Sequence, residues 1–197
     1  NFQGLWSLST GVGIPLPGVD ITVAMIDTGY TPHPNFQTNL IGYSSTPGYI
    51  SGYQFISDCR TAGSCPASTS NASISYQANG LDLGDYVSQS DIDSSNGFFS
   101  EDCLEPKSSW HGSHVTGIVI AQGSASPADA DSGILGGAYG AQVLPVRVLG
   151  KCGGLNSDVE NGMLWAADQY PSISNPTPAN VLSLSLGGEQ SCDAAMQ

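Results

Sequence analysis

Few residues in this chain are equipped for chemistry. Two of its three histidines stand three apart in Trp110-His111-Gly112-Ser113-His114-Val115-Thr116-Gly117. On a helix that spacing places both rings on one face, where they could share a metal or where one could act as a general base near neutral pH. Structural zinc needs four ligands, and the only other histidine is His33, which reads as a turn residue in Thr-Pro-His-Pro-Asn. His114 reads as a hydrogen-bonded core histidine. Asp27 is the second candidate, because it ends the apolar run Ile21-Thr-Val-Ala-Met-Ile26, and in open α/β sheets sites form beyond the carboxyl ends of strands. A carboxylate there could bind a metal, cap a helix, or orient a histidine by accepting its ring N–H. Its Asp-Thr-Gly turn does not choose among these.

The elements that must position these residues follow from patterning. Ile21–Ile26 is β-branched and apolar on both faces, as a buried parallel strand should be. His111–Gln122 is expected to be a helix with Val115, Ile118, Val119 and Ile120 toward a core and Ser108 or Ser109 as its cap. Gly112 and Gly117 within it signal close approach of another backbone or a substrate. Ala141–Leu149 is a second strand in which Pro145 removes a donor and argues for an edge or irregular position. Asn156–Gln169 is an amphipathic helix built on Val159, Met163, Leu164 and Ala167, with Asp158 and Glu160 in the first turn. Val181–Leu186 is a third strand, closed by Gly187-Gly188. This alternation predicts an α/β fold around a parallel sheet. Residues 43–107, rich in Ser, Gly, Asn and Asp, read as a long insertion of loops and irregular hairpins.

Composition narrows the function classes. With 197 residues, 40% of them hydrophobic, the chain can bury one good core. Seventeen acidic against four basic side chains give a net charge of −13, which repels nucleic acid and anionic lipid. The apolar stretch Val115–Ala121 is well short of the ~20 residues of a membrane span, so neither a nucleic-acid nor a membrane partner is expected. Asn1–Ser9 lacks the features of a signal peptide, so in an exported protein the signal and any pro-segment have been removed. The five cysteines show no paired zinc spacing and read as disulfides of an oxidising compartment, Cys152 with Cys192 and Cys59 with Cys65, leaving Cys103 without a partner in this chain, either as a free buried thiol or bonded to polypeptide beyond it.

Taken together, four segments resemble the subtilisin family of serine peptidases. Val23-Ala-Met-Ile-Asp27-Thr-Gly29, continuing to His33-Pro34, is similar to the family's aspartate motif, and His111-Gly-Ser-His-Val-Thr-Gly117 to its histidine motif. Gly133–Gly150 resembles the segment that follows, and Val181–Gly188 the strand lining the substrate cleft. The resemblance implies a subtilisin-like three-layer α/β fold and a secreted serine endopeptidase acting on protein or peptide substrates. In it Asp27 orients His111, and His111 takes the proton of a serine hydroxyl and hands it to the leaving amine. Ser185, Leu186 and Gly187 would bind substrate through their backbone, Gly153, Gly154 and Leu155 would face it, and Leu149 would shape an apolar subsite. No segment like the family's serine motif occurs, so the nucleophile is expected outside this chain, in a C-terminal remainder of the same catalytic domain. A subtilase-like module that binds peptide without cutting it is the alternative, and a metal hydrolase on Asp27, His111 and His114 a third reading.

The insertion also offers oxygen ligands spaced much like a calcium loop in Asp91-Ile-Asp93-Ser-Ser-Asn-Gly97, and acidic pairs at Asp82/Asp85 and Asp129/Asp131. A structural calcium ion is therefore expected, and no organic cofactor.

Overall fold

A computed structural model describes residues 16–42, 51–63, 76–123 and 134–188. Its strands are β1 (Thr22–Asp27), β2 (Tyr53–Gln54), β3 (Gln142–Arg147) and β4 (Val181–Ser183), and its helices α1 (Cys59–Ala62), α2 (Gln89–Ser94), α3 (His111–Ile120) and α4 (Asn156–Ala166). The strands form one sheet in the order β2-β3-β1-β4, with every neighbouring pair parallel. All six residues of β1 are buried.

Alternation along the strands explains the layering. Ala24 and Ile26 of β1 join Leu144 and Val146 of β3 in a cluster with Phe55 and with Val159, Trp165 and Ala166 of α4. Val23, Met25 and Val143 point the other way, into a cluster with Ile120 and the partly buried Val115 and Val119 of α3. Helix, sheet and helix thus form the three layers expected from the resemblance. On α4, Trp165 is buried while Leu164 is exposed, and on α3 Ile118 is 53% exposed, so the core stripes include fewer of the apolar positions than the sequence pattern assigns.

Pro145 is a correction. It lies in an interior strand, paired on one side with β1 at Met25. The Val143 carbonyl accepts from Ile41 and the Arg147 carbonyl from Phe55, so Pro145, with the same parity, turns its nitrogen toward the β2 side. There β2 pairs only with Val146 and Arg147, and the missing donor falls before that ladder begins.

The region 43–107 is more than loops. It supplies β2, an edge strand of the central sheet, and the short helices α1 and α2, and it buries Phe55, Ile56, Ala62, Val87 and Phe99. Asp58 caps α1 at the Arg60 N–H, and Ser88 with Asp91 makes a capping box on α2. Asp158, 1% exposed in the first turn of α4, accepts from the Ser57 N–H and hydroxyl and from the Tyr76 hydroxyl. Burial above all pushes the Tyr76 phenol up to about 12, so it remains a donor.

The cysteines also correct the sequence reading. Cys103 is bonded to Cys152, with Cα atoms 5.1 Å apart across a sequence separation of 49. That overturns both the pairing of Cys152 with Cys192 and an unpartnered Cys103. Folding of the insertion onto the loop after β3, reinforced by the Lys151–Asp91 ion pair at 2.9 Å, brings the two together. Cys59 is also disulfide-bonded, and Cys65 and Cys192 lie outside the described residues.

Candidate active site

Strand β1 ends where the site begins. Asp27 is fully buried, and its carboxylate accepts the Thr28 N–H at 2.7 Å. His111, the first residue of α3, places Nδ1 2.8 Å from Asp27 Oδ1 and 2.9 Å from Oδ2. The carboxylate is 0% exposed and the imidazole side chain 40% exposed, so one partner is fixed in the core while the other meets solvent. With Asp27 accepting the Nδ1 proton, Nε2 is left as an acceptor.

Close approach of two backbones makes this geometry possible. A Cβ on Gly112 would run into the Gly29 carbonyl oxygen, so glycine at 112 lets α3 lie against the turn after Asp27. A Cβ on Gly117 would meet nothing within 4 Å among the described residues, so they show no close approach there. Trp110, the N-cap, is left-handed (φ 51°) and makes no side-chain cap. Ser109 instead accepts the His111 N–H at 3.2 Å from one position earlier.

His114 is exposed and turned away from Asp27. It borders an apolar groove with Trp110, Ile118 and Ile134, which corrects its reading as a core histidine and separates it from Asp27 and His111 as metal ligands. Solvent-facing rotation on α3 explains this, since Thr116 and Ile120 occupy the buried stripe. His33 accepts the Asn35 N–H and stacks on Phe36, in keeping with a turn role.

A cleft of about 710 Å³ opens over His111. Gly153 and Gly154 line one side with Leu149, and Ser185, Leu186 and Gly187 line another beyond the end of β4. These are six of the seven residues assigned to substrate contact from sequence. The seventh, Leu155, is the N-cap of α4 and borders a neighbouring hollow with Ile56, Phe98 and Phe99. Thr28, Asp85, Ser109 and Cys152 also line the cleft and were not picked out from sequence for that role. Asp85 and Cys152 belong to, or are bonded to, the insertion, whose course no local pattern reveals.

The acidic residues offered as calcium ligands are separated into other tasks. Asp82 accepts from the Thr28 hydroxyl and the Gly84 N–H, and Asp85 from the Ser109 N–H and hydroxyl. Burial pushes the Asp82 carboxyl up, against the pull of those donors. Asp91 caps α2 and pairs with Lys151, and Asp93 accepts from Gln89. Asp129 and Asp131 lie outside the described residues. Among the described residues no group of three or more His, Cys, Asp or Glu could hold a metal ion, and Asp82, Asp85, Asp91 and Asp93 form no such cluster.

The molecule is thus a three-layer parallel α/β protein with a buried Asp holding a His at the mouth of a cleft. The chain belongs to the subtilase family, whose model matches residues 18–197. It is 37% identical to an extracellular protease of Xanthomonas campestris pv. campestris over 100% of its length and 28% of that protein. It is 35% identical to an extracellular basic protease of Dichelobacter nodosus over 91% of its length and 26% of that protein. The chain thus spans between a quarter and a third of these relatives. Among solved structures it is similar to a protease of Pseudoalteromonas arctica, with TM-score 0.66 and 33% identity, covering 92% of this chain and 45% of that one.

Proposed function

We propose that this chain contributes the aspartate and histidine of a secreted serine endopeptidase, with the nucleophilic serine outside residues 1–197. The carrying observation is the two-oxygen contact of buried Asp27 with Nδ1 of an accessible His111 at the cleft. Asp27 holds the tautomer in which Nε2 accepts a proton, and it stabilises the imidazolium once that proton arrives. His111 Nε2 takes the hydroxyl proton as the serine oxygen attacks the peptide carbonyl, then delivers it to the departing amine nitrogen. Substrate lies extended between the Gly153–Gly154 and Ser185–Gly187 walls, where exposed backbone offers hydrogen bonds of the strand-addition type. The relatives named as extracellular proteases support both the activity and the secreted location.

The test is His111→Ala in the serine-bearing protease with casein as substrate. The expected loss of kcat is about 10⁶-fold, the size known for the corresponding histidine of subtilisin, a member of this family. Near wild-type turnover with an intact fold would overturn the reading.

A further inference from the structure

The insertion touches the catalytic pair through two acids whose arrangement the peptidase reading leaves unexplained. Residues 80–82 run beside the chain just past β1: Tyr30 donates to the Gly80 carbonyl, and Asp82 donates to the Tyr30 carbonyl at 2.8 Å. Asp82 is 7% exposed, and its Oδ1 accepts the Gly84 N–H at 2.8 Å, closing a tight turn. Gly84 takes φ +89°, a conformation that disfavours other residues, and the turn delivers Asp85 to Ser109.

Two parallel relays result. In one, the Thr28 hydroxyl donates to Asp82 Oδ2 at 2.7 Å and accepts the Gly112 N–H at 2.9 Å. In the other, the Ser109 hydroxyl donates to Asp85 Oδ2 at 2.5 Å and accepts the His111 N–H at 3.2 Å. The two N–H groups are consecutive, and both belong to the first turn of α3, where helix geometry supplies no internal acceptor. A hydroxyl whose proton is committed to a carboxylate is oriented to accept with its lone pairs, and negative charge is favourable at this end of a helix.

We propose that Asp82 and Asp85 are positioning residues for the Asp27–His111 pair, each gripping through one hydroxyl one of the two N–H groups that start the helix bearing the imidazole. The inference rests on the peptidase reading. Thr28 follows Asp27 directly, so the Asp82 relay ties the carboxylate's own turn to the histidine's helix, while the Asp85 relay fixes the ring's own backbone nitrogen. The insertion thereby reaches the catalytic geometry without touching the reacting atoms.

The test uses the serine-bearing protease and the more accessible relay, because Asp82 is too buried for its loss to be read cleanly. Asp85→Ala and Ser109→Ala should each lower kcat about 10-fold, in line with the steep cost of small misplacements. KM should stay within about twofold and the melting temperature should change little. The double variant should be no slower than either single one, since both break one relay. Ser109→Thr, which keeps the hydroxyl, should restore most of the loss. Wild-type kcat in both alanine variants, additive losses, or losses that track melting temperature would overturn the positioning role. Activity surviving in His111→Ala would instead overturn the peptidase reading, which keeps the two failures distinct.

Discussion

The sheet and the insertion are held by different physics. Strands β1 and β3 with α3 and α4 bury aliphatic side chains on two faces, and that burial is non-directional and spread over many contacts. The insertion joins that core through Phe55 and pairs β2 with β3, but beyond these its attachment rests on the Cys103–Cys152 bond and a few directed polar contacts. Three of the four basic residues in the chain serve it. Arg147 reaches into it from β3, Lys151 pairs with Asp91 and lies over the Tyr86 ring, and Arg60 pairs with Asp58 and lies over the Phe98 ring. A fold region poor in apolar periodicity can be ordered by scarce, well-placed charges. Such contacts can be broken singly, whereas the sheet's cannot.

Arg147 should give the largest effect. It is 0% exposed, and its guanidinium donates to the Thr28 carbonyl, to Gln54 Oε1 at 2.6 Å and to the Ala62 carbonyl. Burial lowers its pKa, with Asp82 and Asp85 opposing. Arg147→Met keeps the stem in the core but orphans three buried acceptors, and should destabilise by about 3–5 kcal/mol. Urea unfolding of purified variants reads this. A loss below about 1 kcal/mol would mean that water or rearrangement satisfies the acceptors, and that the attachment is less directed than described.

The Cys103–Cys152 bond comes next. Closing a loop of this length, 49 residues by separation, stabilises by at most about 4 kcal/mol in the chain-entropy account. A Cys103→Ala/Cys152→Ala variant should lose about 2–4 kcal/mol. Hydrogen exchange should rise in residues 76–110 and around Gly153–Gly154, while β1 and β3 keep their protection. Uniform loss across the sheet would show that the two regions unfold as one unit.

The same contrast explains what the sequence revealed. Residues 22–27, 111–120, 142–147 and 156–166 were legible because burial on one or two faces leaves a period, and Asp27 and His111 were legible because each stands at an element's end. Gly112 was legible because glycine within a helix needs a reason. What escaped depended on long-range placement. Tyr53–Gln54 is too short to show a period, and its partner in β3 is more than ninety positions away. Cys103 meets Cys152 only after the insertion folds. Asp82 and Asp85 are legible as an acidic pair, but their hydrogen bonds to the hydroxyls of Thr28 and Ser109 depend on residues 54 and 24 positions away. Pro145 was misplaced because an edge is a property of the neighbour's length.

The smallest effect is a pH dependence that separates a contact joining the two regions from one internal to the insertion. The Asp91 carboxyl, ordinarily at 3.8, is held at about 2, first by the Ser88 hydroxyl, then by Lys151 and the Ser88 N–H. A depressed folded value means that the ionised form is favoured by folding. Its stabilisation is therefore fully present above pH 3.8 and is lost as pH falls through about 2. Lys151 follows β3, so this pair ties α2 to the sheet, whereas Asp58 and Arg60, two positions apart, tie the insertion only to itself. Asp91→Asn should lower the melting temperature at neutral pH by about 2–4 °C, the equivalent of about 1 kcal/mol for a chain of this length. The gap from wild type should close between pH 4 and 2. Asp58→Asn should cost less, because its partner is local and its separation in the unfolded chain is already short. A wild-type–Asp91→Asn gap that stays constant down to pH 2 would show that Asp91 acts through shape and capping alone, and that the insertion's attachment at Lys151 does not depend on charge.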